Sequence, residues 1–337
     1  RSQNVSDEQQ QSVEAAESKL QAARAAVQSP GDSFEPLGEQ HAKTSTGRRT
    51  ALANWIASEK NPRTARVAAN HIWNRHFGKP LVATTENFGL NGKKPTHPAL
   101  LDWLAAELIA NDWQMKPIHR QIVLSATYRM SSRATSLEDL KKDPENIYFW
   151  RMNSRRMEAE VVRDSVLYLA GQLDLTRGGP EIRETDGENV LRRSMYFRNT
   201  PNEKMDMLEV FDVADPNSCY RRKESVVPNQ SLAMMNSGLT LDSARIIAEQ
   251  LSDTVATGDA FVSVAFETVL ARSPSKGELA RCQKFLQEHA VLLANDDSEK
   301  FVGNGTAKRA PATATDARAR ENLIHVLLLH NDFVTVR

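Results

Sequence analysis

The sequence predicts a mainly α-helical protein, either a packed multi-helix bundle or two helical lobes, with one minor short strand element. Three observations predict it. Apolar residues recur at three- and four-residue spacing along most of the chain. Helix punctuation, with proline at a start and glycine at a stop, brackets several of those runs. Strand-like alternation is confined to one short stretch.

Taken in order, residues 7–28 space Val13, Leu20 and Val27 seven apart among alanine, glutamine and charge. That is a solvent-rich helix with one narrow apolar seam, which needs a packing partner. Residues 29–45, with Pro30, Gly31, Pro36 and Gly38, read as a linker. Leu52, Trp55 and Ile56 then mark a short helix. Ala65, Ala69, Ile72, Trp73 and Phe77 mark a second, opened by Pro62 and stopped by Gly78. A third begins at Pro98 and buries Leu101, Leu104, Ala105 and Leu108, and 116–128 supplies a fourth; these four should pack as one lobe. Residues 154–173 read as one long helix and 189–199 as extended chain. Helices follow at 228–237, 240–251, 261–271, 275–293 and 317–330, and 295–315 reads as a mobile loop. The expected organisation is an N-terminal helix and linker over 1–46, belonging to an upstream region, and a helical domain over 47–337 with lobes 47–150 and 151–337.

Composition excludes several functions. Lysine and arginine total 43, as do aspartate and glutamate, so no global positive field exists to hold nucleic acid or an anionic membrane. No apolar run approaches the roughly 18 residues of a membrane span. Cys219 and Cys282 have no metal-ligand spacing, and the chain carries no CxxCH, so neither a metal site nor covalent haem is expected here; the two scattered cysteines read as free and buried, with one disulfide between them as the alternative. The first residues are polar and the chain starts at Arg1 rather than methionine. It reads as a processed or excised piece, with any export signal upstream.

A set of ordered motifs adds to this reading. Asn70-His-Ile-Trp-Asn-Arg-His-Phe-Gly78 comes first, then Pro95-Thr-His-Pro98, Leu100-Leu-Asp-Trp-Leu104 and Ser125-Ala-Thr-Tyr-Arg129. Asp143-Pro-Glu-Asn146, Arg155-Arg-Met-Glu-Ala-Glu160 with Arg163-Asp164, Phe211-Asp212, Arg221-Arg222 and Val227-Pro-Asn-Gln230 with Asn236 follow. From Gly47 onward the chain resembles the planctomycete C-terminal domain of unknown function DUF1553, also described as cytochrome-c-associated. His71 stands where that family often has arginine, and Asn331-Asp-Phe333 where Asn-Glu-Phe is usual. The resemblance implies an exported multidomain protein located in the periplasm or cell envelope. It also implies a haem-bearing, cytochrome-c-like domain upstream in the same polypeptide as partner.

The residues themselves suggest one polar constellation. On a helix through 154–173, Glu158 would share the apolar stripe of Val162, Val166, Leu169 and Leu173 and so point inward, while Arg155 with Glu158 and Glu160 with Arg163 would be i, i+3 pairs. On a strand through 192–199, Arg193 would be buried beside Met195 and Phe197, and an inward arginine must find an acid; Glu158, Glu160 and Asp212 are the expected partners. Asp212, Asp215, Arg221, Arg222, Asn229 and Gln230 crowd a proline-marked irregular stretch, where binding groups concentrate. With Arg155, Arg156 and Asp164 they make a candidate polar cleft for an anionic or sugar ligand, and Asp212 with Asp215 the carboxylates for acid and base chemistry. His71 and His76, five apart, diverge by about 140° on a helix and cannot share a metal; His76 should bond a backbone carbonyl. Core packing is expected of the tryptophans other than Trp150. Two functional readings follow: an accessory module docking on its upstream domain, or an envelope hydrolase or oxidative enzyme acting on complex polysaccharide, with glycan as ligand. An electron-transfer docking surface is a third.

Overall fold

In the computed structural model the described residues are 7–28, 38, 44–133, 136–218, 222, 224–255, 257–294 and 307–336. Among them the protein is mainly helical, with α1 (Asp7–Gln28), α2 (Arg48–Ile56), α3 (Thr64–Phe77), α4 (Pro98–Ala110), α5 (Met115–Leu124), α6 (Leu137–Lys142), α7 (Ala159–Leu169), α8 (Asp206–Val210), α9 (Pro228–Asn236), α10 (Gly238–Thr254), α11 (Gly258–Leu270), α12 (Lys276–Ala294) and α13 (Thr315–Leu328). One antiparallel pair joins β1 (Arg155–Arg156) to β2 (Thr335–Val336), with Arg155 opposite Val336.

The chain divides into two compact units, Arg1–Lys60 and Asn61–Arg337. In the first, α1 matches the predicted helix, and its seam residues Val13, Leu20 and Val27 are 53, 51 and 80% exposed. Helix α2 buries none of its residues. It belongs to this unit and not to the lobe assigned to it from the sequence, because its few apolar side chains Leu52, Trp55 and Ile56 are all exposed.

In the second unit, apolar burial concentrates in two cores. Ala69, Ile72, Trp73 and Phe77 of α3 pack with Leu101, Leu104 and Leu108 of α4 and with Ile118 and Ile122 of α5. The stop of α3 follows local chemistry: its last turn closes on Gly78 at φ +68, a left-handed conformation that favours glycine, whereas its start falls at Thr64, two residues after Pro62 and without a side-chain cap. Helix α4 opens on Pro98 at its first position. Helix α5 ends at Leu124, earlier than expected, because Ser125 turns extended and its hydroxyl donates to the Ile122 carbonyl while accepting from Tyr128 N.

The larger core gathers Val162, Val166 and Leu167 of α7, Leu239, Ala244 and Ile247 of α10, Phe261, Val262 and Phe266 of α11, and Leu323, Ile324, Leu327 and Leu328 of α13. Residues 307–314 are pinned: Asp242 accepts the backbone N–H groups of Lys308 and Arg309, and Glu321 accepts that of Ala312. These contacts correct the expectation of a mobile loop for that part; 295–306 lie outside the described residues.

Two corrections bear on the site. The helix expected over 154–173 begins only at Ala159. Arg155 and Arg156 are extended, and Met157 N donates to Val334 O, so pairing with the C-terminal strand overrides the helix propensity of Arg-Arg-Met-Glu. Glu158 is the extended N-cap of α7 rather than part of its apolar stripe, and its side chain is 36% exposed. The predicted strand over 189–199 is instead a 3₁₀ turn, Ser194–Tyr196, flanked by single bridges from Arg192 to Asp174 and from Phe197 to Ile182. Phe197 is buried as expected, but Met195 is 63% exposed.

Candidate functional site

The start of α7, with β1 before it, and the described chain from Phe211 to Gln230 bring half of the predicted polar residues to two cavities: Arg156, Glu160 and Gln230 line them, and Glu158, Asp212 and Arg222 are bonded to those three or to their partners. At the first, β1 presents Arg156, whose Nη1 donates to Asn331 Oδ1 at 2.7 Å and whose Nη2 donates to Gln230 Oε1 at 2.5 Å. Gln230 is 3% exposed and its Nε2 donates to the carbonyls of Val210 and Ser225. Ser225 in turn donates through its N–H and hydroxyl to Asp212 Oδ2, at 2.7 and 2.6 Å. Asp212 holds a left-handed backbone at φ 60, which aspartate tolerates better than most residues. Asp212, Ser225, Gln230 and Arg156 thus form one relay of hydrogen bonds ending at a cavity of about 360 Å³ that Phe211, Val227 and Met234 also line.

The second cavity, about 170 Å³, is lined by Glu160, Ser194, Arg198, Lys204 and Met205 among others. Glu160 is gripped by Arg222 through two bonds, Nη1 to Oε2 at 2.6 Å and Nη2 to Oε1 at 3.1 Å. Arg222 also lies 3.6 Å from Glu158, whose other oxygen takes Arg75 of α3. Burial pulls the Arg222 guanidinium down, but the bonded Glu160 carboxylate and nearby Glu158 outweigh it and hold the group above its ordinary value.

Asp164 lies elsewhere along α7. Its oxygens accept from Ser194 N at 2.8 Å and from Arg193 Nε at 3.3 Å. Arg193 is therefore a half-exposed partner of Asp164, not a buried partner of Glu158, Glu160 or Asp212, because the 3₁₀ turn swings it out. Arg155 donates to Arg75 O at 2.7 Å, and its stem lies against Gly78. Asp215 caps an exposed turn by accepting from Asn217 N, and Asn229 is exposed on α9. Arg221 and Cys219 lie outside the described residues; Cys282 is a half-buried thiol on α12, its ionisation pushed up by burial.

Sequence reasoning missed the most buried charge. Arg163 is 0% exposed, and its guanidinium donates to the carbonyls of Gly187, Val190 and Arg192 and to Ser194 Oγ. Burial lowers its pKa to about 10, against the pull of Asp164 and Glu188. The hint available was position: Arg163 falls between Val162 and Val166 on the inward side of α7. A further cluster, Arg272 with Glu278 at 2.7 Å and Asp332 at 2.7 Å, borders a cavity of about 350 Å³. Arg272 and Glu278 are six positions apart, and Ser275 with Glu278 forms a reciprocal cap at the start of α12, but Asp332 joins them from 60 positions away, and that contact leaves no local trace.

His76 bonds the His119 ring at 2.7 Å rather than a backbone carbonyl. Trp73 is in the core, whereas Trp55 and Trp103 are 59 and 47% exposed, contrary to the packing expected of them. Trp150 is half-buried and donates to Asp143 O. Among the described residues no group of three or more His, Cys, Asp or Glu is disposed to hold a metal ion, and no helix is long and apolar enough to cross a membrane.

No curated protein and no solved structure matches this chain. A family profile does, over residues 48–286, a span that includes Arg156, Glu160, Asp212 and Gln230 but not Asn331 or β2. By that match the chain belongs to the PSD1 family, described as Protein of unknown function (DUF1553).

Proposed function

We propose that this chain is an accessory interaction module of a larger exported polypeptide, docking on a preceding haem-bearing, cytochrome-c-like domain in the periplasm or cell envelope. The observation that carries the reading is the N-terminal unit. Every described side chain of α1 is exposed, yet Val13, Leu20 and Val27 repeat at seven-residue spacing along a helix of roughly 33 Å. Helices of this length draw most of their stability from packing an apolar face, so the seam supports a partner. Leu52 and Ile56 of α2 add apolar surface in the same unit. The haem itself would belong to the partner, since the sequence here offers no attachment motif.

An envelope enzyme acting on polysaccharide needs carboxylates available to a substrate. Here Glu158, Glu160 and Asp164 are engaged by Arg75, Arg222 and Arg193, and Asp212 by Ser225, which favours docking over hydrolysis. The test is association in trans between the full chain and the preceding haem-bearing segment, read by analytical ultracentrifugation at the haem absorbance. Val13→Glu, Leu20→Glu and Val27→Glu together are expected to abolish it while leaving the helical circular dichroism of the remainder in place. Association that survives the triple substitution, or a seam that only pairs two copies of this chain, overturns the proposal.

A further inference from the structure

The chemistry of the larger cavity at β1 is independent of the docking proposal. Its walls are largely apolar, with Phe211, Val226, Val227, Met234 and Leu329 among them, and it measures about 360 Å³, within the range of small-ligand sites. Into this apolar setting projects one half-buried guanidinium. Of the five N–H bonds that Arg156 carries, one goes to Asn331 and one to Gln230, and both acceptors are neutral amides. Among the described residues no carboxylate lies within ion-pair reach of it, whereas Arg222, Arg193, Arg198 and Arg272 are each paired to an acid. The guanidinium is also held in place: Gln230 is itself fixed by the Val210 and Ser225 carbonyls, and Ser225 by Asp212. A fixed, uncompensated guanidinium on an apolar wall is complementary to a planar anion that carries an apolar body.

We infer that this cavity binds a compact organic carboxylate, its carboxylate on the free N–H bonds of Arg156 and its apolar group against Phe211, Val227 and Met234. The volume suits a single ring or short chain, not a polymer. The shared chemistry has two sources, a free apolar acid or the C-terminal carboxylate of a peptide ending in an apolar residue.

The probes are 3-phenylpropanoate and its neutral isostere 3-phenylpropanamide, titrated into the full chain with binding read by calorimetry and by ligand-detected NMR. The acid is expected to bind at least about tenfold more tightly than the amide, the effect of one charge-assisted contact. Arg156→Gln should remove that preference. Because Arg156 also ties β1 to its neighbours, Val226→Asp provides a second variant. Val226 is 76% exposed, so the fold should tolerate a carboxylate there, and that carboxylate would repel the anion and weaken binding by at least about tenfold. A tetrapeptide ending in phenylalanine, compared with its C-terminal amide, separates the sources: acid-dependent binding of the peptide assigns a chain terminus, and binding of the small acid alone assigns a free acid. Equal binding of acid and amide, no binding of either acid probe, or undiminished binding by folded Val226→Asp overturns the inference.

Discussion

Arg163 shows how one residue can organise a stretch of chain that has little regular structure of its own. Residues 187–194 make few backbone pairs, and a single guanidinium collects their carbonyls from Gly187, Val190 and Arg192. Gly187 is needed there, since a Cβ would sit 2.5 Å from Met205 Cγ. Truncating Arg163 would strand several buried acceptors at about 1–3 kcal/mol each. Arg163→Met is therefore expected to lose about 3–5 kcal/mol in urea unfolding, and Arg163→Lys to recover only part of it, because an ammonium cannot fork across carbonyls on different strands of the loop. A Met variant as stable as the parent would show that the loop holds itself. From sequence, the pairing rule for helices made Arg163 a surface partner of Glu160. That rule fails because Glu160 turns to Arg222, which arrives from 62 positions away, and such a contact leaves no trace in local spacing. A separation of 29 positions likewise hid the Asp164 partner of Arg193, whereas the apolar positions of α3 and α4 were legible because they repeat within one helix.

Between elements, α3 and α5 meet through a pair of rings. His76 on α3 and His119 on α5 share one hydrogen bond at 2.7 Å, which requires one ring nitrogen to be bare. Burial, then His119, then Arg155 hold His76 below its ordinary 6.5. Between that lowered value and 6.5 the unfolded chain binds more protons than the folded one, so stability rises with pH across the window and is lost as pH falls through the folded value. His71 and His325 are shifted the same way, chiefly by burial. The urea midpoint is expected to be lower at pH 5.5 than at pH 7.5. His76→Gln, which keeps a polar partner for His119 without titrating, should narrow that gap; an unchanged gap would exclude the ring pair as its source. Helices with their own punctuation, such as α3 and α4, were readable to within a few residues. The start of α7 was not, because Arg155 pairs with Val336 and Arg156 with Thr335 from the far end of the chain, and that pull is tertiary.

At the scale of the molecule, the unit over 61–337 holds two apolar cores joined by a polar seam. One core draws on residues 69–152 and the other on 159–334. Between them run Arg75 to Glu158, Arg155 to the Arg75 carbonyl and Asn153 to the Phe77 carbonyl at 3.1 Å. Seams of this kind are weakly cooperative, since hydrogen bonds at a half-exposed surface contribute little net stability compared with apolar burial. Of the tryptophans, Trp55 lies in the N-terminal unit and the other four fall between positions 73 and 150, so in a Trp55→Phe background fluorescence reports on the first core, while far-ultraviolet circular dichroism also senses the helices α7 to α13 that follow. The two signals are expected to give separate urea transitions. Ile118→Ala, fully buried in the first core, should move the fluorescence transition by about 2–5 kcal/mol and leave the later one in place; Ile324→Ala should do the reverse. Coincident transitions that shift together in both variants would mean that the polar seam couples the cores, and that 61–337 unfolds as one cooperative body.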